Sequence, residues 1–268
     1  MKKILFTLLI FALTVTVFAH EFWLQPHKFI FNKGETAIIR FNVGENFKGE
    51  NWSGNKSRIQ RLIHYLPSGK HSDISGLLSD NAGDSLQLPI VEEGTHMVVF
   101  NSVNSFINIE AAKFNEYLKE DGLISAATYR KQHSEEQLNG KEYYQRSVKT
   151  LMQAGKLKTD EMLYKTDLPL DIVPSKNIYS LRAKARIGFT VYFKQQPLTD
   201  TKVVVWHIQK YPLQGLTTKE FITNHKGQVT TEISPAGDWM ISCVHMERNK
   251  IDTIADWQSY WGSVTFGY

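Results

Sequence analysis

The sequence has 268 residues, with 31 Lys and Arg, 27 Asp and Glu, 9 His and one Cys. A formal charge of +4 without a Lys/Arg cluster argues against a nucleic-acid binder, and 12% aromatic with 42% hydrophobic residues excludes a disordered chain. Cys243 stands alone, so no internal disulfide can form.

Met1, Lys2 and Lys3 make a short basic start, and residues 4–18 carry no charge. Val17-Phe18-Ala19 then places small residues at positions −3 and −1 of a cleavage site. This predicts a secretory signal peptide over residues 1–19, cut after Ala19 and too short to span a bilayer comfortably. Removing residues 1–19 from 268 leaves 249, and losing Lys2 and Lys3 lowers the charge to +2. The mature chain is expected to be periplasmic or secreted, with no membrane span.

Residues 20–109 read as an N-terminal β module. Segments 28–31 and 36–43 are β-branched and aromatic, and Asn32-Lys33-Gly34-Glu35 between them predicts a hairpin turn. Residues 58–66 and 96–100 are further strand candidates, and 76–87 is a polar loop. Residues 110–157 read as a helical insert. Phe114, Tyr117 and Leu118 stand at i, i+3, i+4 before Gly122, a second helix covers 125–138, and a third covers 141–153. Tyr144, Val148, Leu151 and Met152 mark one face of that third helix, with Gly155 as its cap. Residues 165–268 read as a C-terminal transthyretin/Ig-like β module, with strands at 185–193, 202–209, 218–223, 228–233 and 238–246. The predicted fold is mainly β: two antiparallel β-sandwich modules with a helical insert between them.

Cleavage after Ala19 makes His20 the first residue. Its free α-amine and imidazole Nδ1 then close a six-membered chelate ring on a divalent metal, and both groups deprotonate near neutrality. Further imidazoles would complete a nitrogen-rich site suited to Cu, Ni, Co or Zn. His96 opens a strand and is the accessible candidate. His245 shares a strand face with Trp239, Ile241 and Cys243, which also fits a hydrogen-bonded core histidine. His207, on a face with Val203 and Val205, carries the same ambiguity, and the direction of His27 after Pro26 is open. His64, His71, His133 and His225 read as surface residues. Signatures of a Ser hydrolase elbow, a zincin, a P-loop and a dinucleotide site are absent, and Cys243 reads as an inert buried thiol. Trp257, Tyr260 and Trp261 stand at i, i+3, i+4, so one helical turn would present them together, either as a stacking platform or as a plug at a sandwich edge.

Residues 198–239 resemble the transthyretin-like and carboxypeptidase-regulatory-like β modules. Nearly the whole mature chain resembles the bacterial periplasmic domain-of-unknown-function family numbered 4198. The resemblance rests on Ala19-His20-Glu21-Phe22-Trp23-Leu24, Gly94-Thr95-His96-Met97-Val98-Val99-Phe100 and Lys113-Phe114-Asn115-Glu116-Tyr117-Leu118. It continues through Pro169-Leu170-Asp171-Ile172-Val173-Pro174, Val244-His245-Met246-Glu247-Arg248 and residues 255–261. It implies a periplasmic component of nickel or cobalt uptake. The expectation is a non-catalytic binder of a divalent transition metal (Ni, Co, Cu or Zn), with His20, His96 and His245 as ligands and a membrane or outer-membrane transporter as partner. The alternative is a structural or carbohydrate-binding module that uses the aromatic cluster.

Overall fold

The computed structural model describes residues 21–182, 185–209 and 215–268, so the signal segment and His20 lie outside the described residues. The first half contains β1 (Glu21–Pro26), β2 (Ile30–Phe31), β3 (Thr36–Glu45), β4 (Lys48–Asn51), β5 (Ile59–Tyr65), β6 (His71–Asp73), β7 (Leu86–Pro89), β8 (Gly94–Ser102) and β9 (Ser105–Ile109). Two helices follow, α1 (Ala111–Glu120) and α2 (Ile124–Gln132), and then the long strand β10 (Gly140–Ala154). The second half contains β11 (Leu170–Pro174), β12 (Ala185–Phe193), β13 (Gln196–Pro197), β14 (Lys202–Gln209), β15 (Gly215–Ile222), β16 (Gln228–Ile233), β17 (Asp238–Arg248) and β18 (Trp257–Gly267).

The fold is mostly β and of the sandwich type, as expected, and its two halves share one sheet. That central sheet runs β15-β14-β17-β18-β10-β8-β5-β6, with β2 and β9 also paired to β10. Its midline joins β10 to β18 in parallel, from Glu142 opposite Trp257 to Thr150 opposite Thr265. A sheet of β1, β3, β4 and β7 covers one face, and a sheet of β11, β12, β13 and β16 covers the other. The alternation of side chains along the central strands separates two cores. Met97, Val99, Leu151, Ile241, Val264 and Phe266 meet Ile172, Ile187 and Phe189 on one side. Val98, Phe100, Val148 and Met152 meet Phe22, Leu24, Ile39 and Phe41 on the other. Every residue of β8 is buried, as expected for a strand covered on both faces.

Double coverage explains where the sequence reading failed. Residues 141–153 are not a third helix; they lie within β10. Leu151 enters one core while Val148 and Met152 enter the other, so apolar residues on both faces imitate a helical period. Residues 257–261 are likewise not a helical turn, because they begin β18. The turn at Gly34, with φ +95°, does form, but β2 and β3 do not make a hairpin. β2 instead runs parallel to β10, and β3 pairs with β1, β4 and β7. Phe29 and Phe31 are buried in the core beside β10, and that burial outweighs the local turn signal.

The helices cover the rest of the face occupied by β1. Phe114, Tyr117 and Leu118 pack on Val244, Met246 and Trp257, which confirms the predicted apolar stripe of α1. Gly122, at φ +67°, ends the turn after α1, where a side chain would be strained. On the opposite face Lys149 of β10 meets Asp171 of β11 at 2.5 Å, with both side chains 1% exposed.

Candidate functional site

The two described histidines predicted as ligands are not brought together. His96 is opposite Met152 on β10, whereas His245 is opposite Tyr260, itself opposite Gln145. Seven residues of register and three strand spacings separate them by roughly 25 Å. They also face opposite sides of the central sheet. His245 packs on Phe193, with ring centroids 4.2 Å apart, and burial lowers its pKa. It is half-buried against that ring, and among the described residues its imidazole has no hydrogen-bond partner, so it is not the hydrogen-bonded core histidine its neighbours suggested.

His96 is fully buried rather than accessible, and its partner is His64, which is buried rather than on the surface. The rings stack with centroids 5.1 Å apart, and His64 Nε2 lies 2.9 Å from His96 Nδ1. His96 Nε2 lies 3.0 Å from the Glu92 carbonyl. A carbonyl only accepts, so His96 donates from Nε2, accepts at Nδ1, and receives the Nε2 proton of His64. Both ring nitrogens of His96 are thus engaged in a chain of neutral imidazoles. Burial, followed by the proximity of His96, pushes His64 down to about 4, and burial also lowers His96. A signal for His64 was present in the sequence, since it stands two residues after Leu62 on the buried face of β5.

The acidic chemistry of the molecule gathers elsewhere. A cleft of about 450 Å³ opens where the start of β1, the β3–β4 turn, the end of α1 and the β14–β15 pair converge. Glu21, Glu45, Glu120, Asp121 and Glu220 line it together with Lys202. Lys202 is held by the Glu120 carbonyl at 2.8 Å and by Glu220 at 2.5 Å. Burial raises Glu21 to about 7, and the charge on Asp121 adds to the shift. Burial raises Asp121 to about 7 as well, against the pull of Lys202. Both carboxyls are therefore harder to ionise than ordinary ones, and a cation bound to them would displace their protons.

A buried network backs the cleft wall. Tyr117 donates to Glu142 at 3.3 Å, Ser259 donates to the same carboxyl oxygen, and Trp261 donates to Ser259 at 3.1 Å. Burial raises Glu142 to about 7, although the Ser259 and Tyr117 hydrogen bonds oppose the shift. Trp261 stacks on Tyr117, with centroids 5.8 Å apart and planes 17° apart. The aromatic trio forms neither an exposed platform nor an edge plug. Trp257 and Trp261 face the helices, Tyr260 faces the opposite core, and β18 lies in the middle of the sheet. Cys243 is buried, and burial pushes its thiol up to about 12, consistent with an inert thiol.

Among the described residues, no group of three or more His, Cys, Asp or Glu side chains is placed to hold a metal ion. No described helix is long and apolar enough to cross a membrane. The sequence matches the family described as a domain of unknown function, DUF4198, over residues 17–247, and the chain belongs to that family. No curated protein matches. Among solved structures, the chicken interferon gamma receptor alpha chain aligns with 10% identity over 83% of this chain and 87% of its own. Its TM-score of 0.23 is too low to support a structural argument.

Proposed function

We propose that the protein is a non-catalytic periplasmic binder of a divalent transition metal, of the nickel, cobalt, copper or zinc class, acting in metal uptake or handling. One observation carries the reading. Glu21, bonded directly to His20 in the chain, lines a cleft with Asp121 in which both carboxyls are held near neutrality. If the α-amine and imidazole of His20 joined these carboxylates, they would make a mixed nitrogen and oxygen donor set acceptable to all four metals. The described carboxyls alone do not make such a site, so the proposal depends on His20. His96 and His245 are left out of the donor set, because one is hydrogen-bonded through both nitrogens and the other lies across the central sheet from the cleft.

The test is titration of the chain beginning at His20 with Ni(II), Co(II), Cu(II) and Zn(II), followed by calorimetry. One tight site with proton release is expected, and its affinity should rise from pH 6 to pH 8 as the amine, imidazole and carboxyls deprotonate. One extra residue before His20, or Asp121→Asn, should weaken it by about tenfold or more. Equal binding by the extended chain overturns the reading.

A further inference from the structure

A second, larger cleft of about 1030 Å³ adjoins the first and shares Glu45 and Asn46 with it. Its floor is Arg146 of β10, on the same strand face as Tyr144 and Val148. Three aromatic rings surround the guanidinium. Its central carbon lies 4.5 Å from the centroid of Phe22, 5.3 Å from Tyr144 and 5.8 Å from Trp52. Among the described residues no carboxylate lies within 4.0 Å of it, and no hydrogen bond leaves its nitrogens. The charged residues of this cleft besides Arg146 are Glu45, Lys48 and Glu50, all exposed.

This arrangement is unusual for an arginine in a folded protein. A guanidinium partly removed from water normally gains a carboxylate or backbone carbonyls in exchange. Here the rings stabilise its charge through their faces, and its N–H donors remain free toward the cleft. The planar donor fork matches an oxyanion with two oxygens in one plane, and Trp52 lines the cleft beside it.

We propose that this cleft binds a small organic oxyanion, a carboxylate or a phosphate carried on an apolar body, with Arg146 holding the anion and the edge of Trp52 in contact with that body. The site is independent of the metal reading, so its test is run in metal-free buffer prepared with a chelating resin. The chain beginning at His20 is titrated with benzoate, phenyl phosphate and neutral benzamide, followed by calorimetry and Trp fluorescence. Saturable binding of benzoate or phenyl phosphate, and none of benzamide, is expected, and the preferred anion identifies the headgroup. Arg146→Lys keeps a positive charge but loses the fork and should weaken binding by about tenfold. Arg146→Met should abolish it, and Trp52→Leu should weaken it while leaving the anion preference unchanged. If Arg146→Met does not fold, Arg146→Lys carries the test. Failure of both anions to bind saturably, or affinity unchanged in Arg146→Lys, overturns the proposal.

Discussion

Lys149 and Asp171 form the ion pair whose removal should be most costly to the fold. It joins the central sheet to the sheet containing β11, and both side chains are sealed from solvent. Breaking such a pair on one side leaves an uncompensated charge in the interior, at a cost of about 3–5 kcal/mol. For a chain of this size that predicts a fall in Tm of roughly 6–20 °C. The two sides are not equivalent. After Lys149→Met, Asp171 still accepts from the Thr166 amide at 2.7 Å and the Thr166 hydroxyl at 3.0 Å. After Asp171→Leu, the Lys149 ammonium has no other partner among the described residues, and Thr166 loses its acceptor. Asp171→Leu should therefore be the more damaging substitution. The double variant Lys149→Met/Asp171→Leu should be more stable than Asp171→Leu alone, because no buried charge remains. Urea unfolding followed by circular dichroism, arranged as a double-mutant cycle, measures the coupling. Single costs below about 1 kcal/mol, or a double cost equal to the sum of the singles, would refute the argument.

Glu142 should control part of the pH dependence of stability. Its folded pKa of about 7 lies above the unfolded value, so its contribution favours folding at low pH and is lost as pH rises from about 4.5 to about 7. Glu142→Gln keeps an acceptor for Tyr117 and Ser259 and removes the ionisation. It should match the parent near pH 5 and exceed it at pH 8, by on the order of 2–3 kcal/mol; thermal melts at both pH values check this, and equal melting points at pH 8 contradict it. His96→Leu should destabilise the protein by about 1–3 kcal/mol at pH 7, because His64 loses its acceptor and the Glu92 carbonyl its donor. The gap should narrow below pH 6.5: burial lowers the pKa of His96, so the parent loses stability on acidification as unfolding lets that ring take up a proton, whereas a leucine takes up none. Urea melts across that range decide it.

Coverage alone did not decide which strands were legible: β8 and β17, buried on both faces, were also read as strands from their runs of β-branched, sulfur-containing and aromatic residues. β12, β14 and β16 fall at their predicted bounds, and β16 alternates exposed and buried residues throughout. β10 and β18 run through the middle of the central sheet, where both faces are covered and no alternation survives. The chance spacings of Tyr144, Val148 and Leu151, and of Trp257, Tyr260 and Trp261, then imitate helices. The family was legible because its segments keep their order along the chain. The cleft was not, because Glu21 and Asp121 are separated by 100 positions, and neither the apolar run after Glu21 nor the polar end of α1 at Asp121 signals the other. Nothing local marks a carboxyl that folding will bury. His64 differs in this respect, since its strand phase with Leu62 was available and polar company obscured it.

The two strands most distant in the chain are also tied together. Ser263 donates to the Phe22 carbonyl at 2.8 Å, and Thr265 donates to the Leu24 carbonyl at 2.6 Å. These contacts span 241 positions, so the carbonyls of residues 22 and 24 gain these partners only when the end of the chain is present. The central sheet cannot close before β18 arrives between β10 and β17, so a chain lacking it would leave the edges of both neighbours open. The last strand of the sequence is thus the piece that completes the middle of the fold.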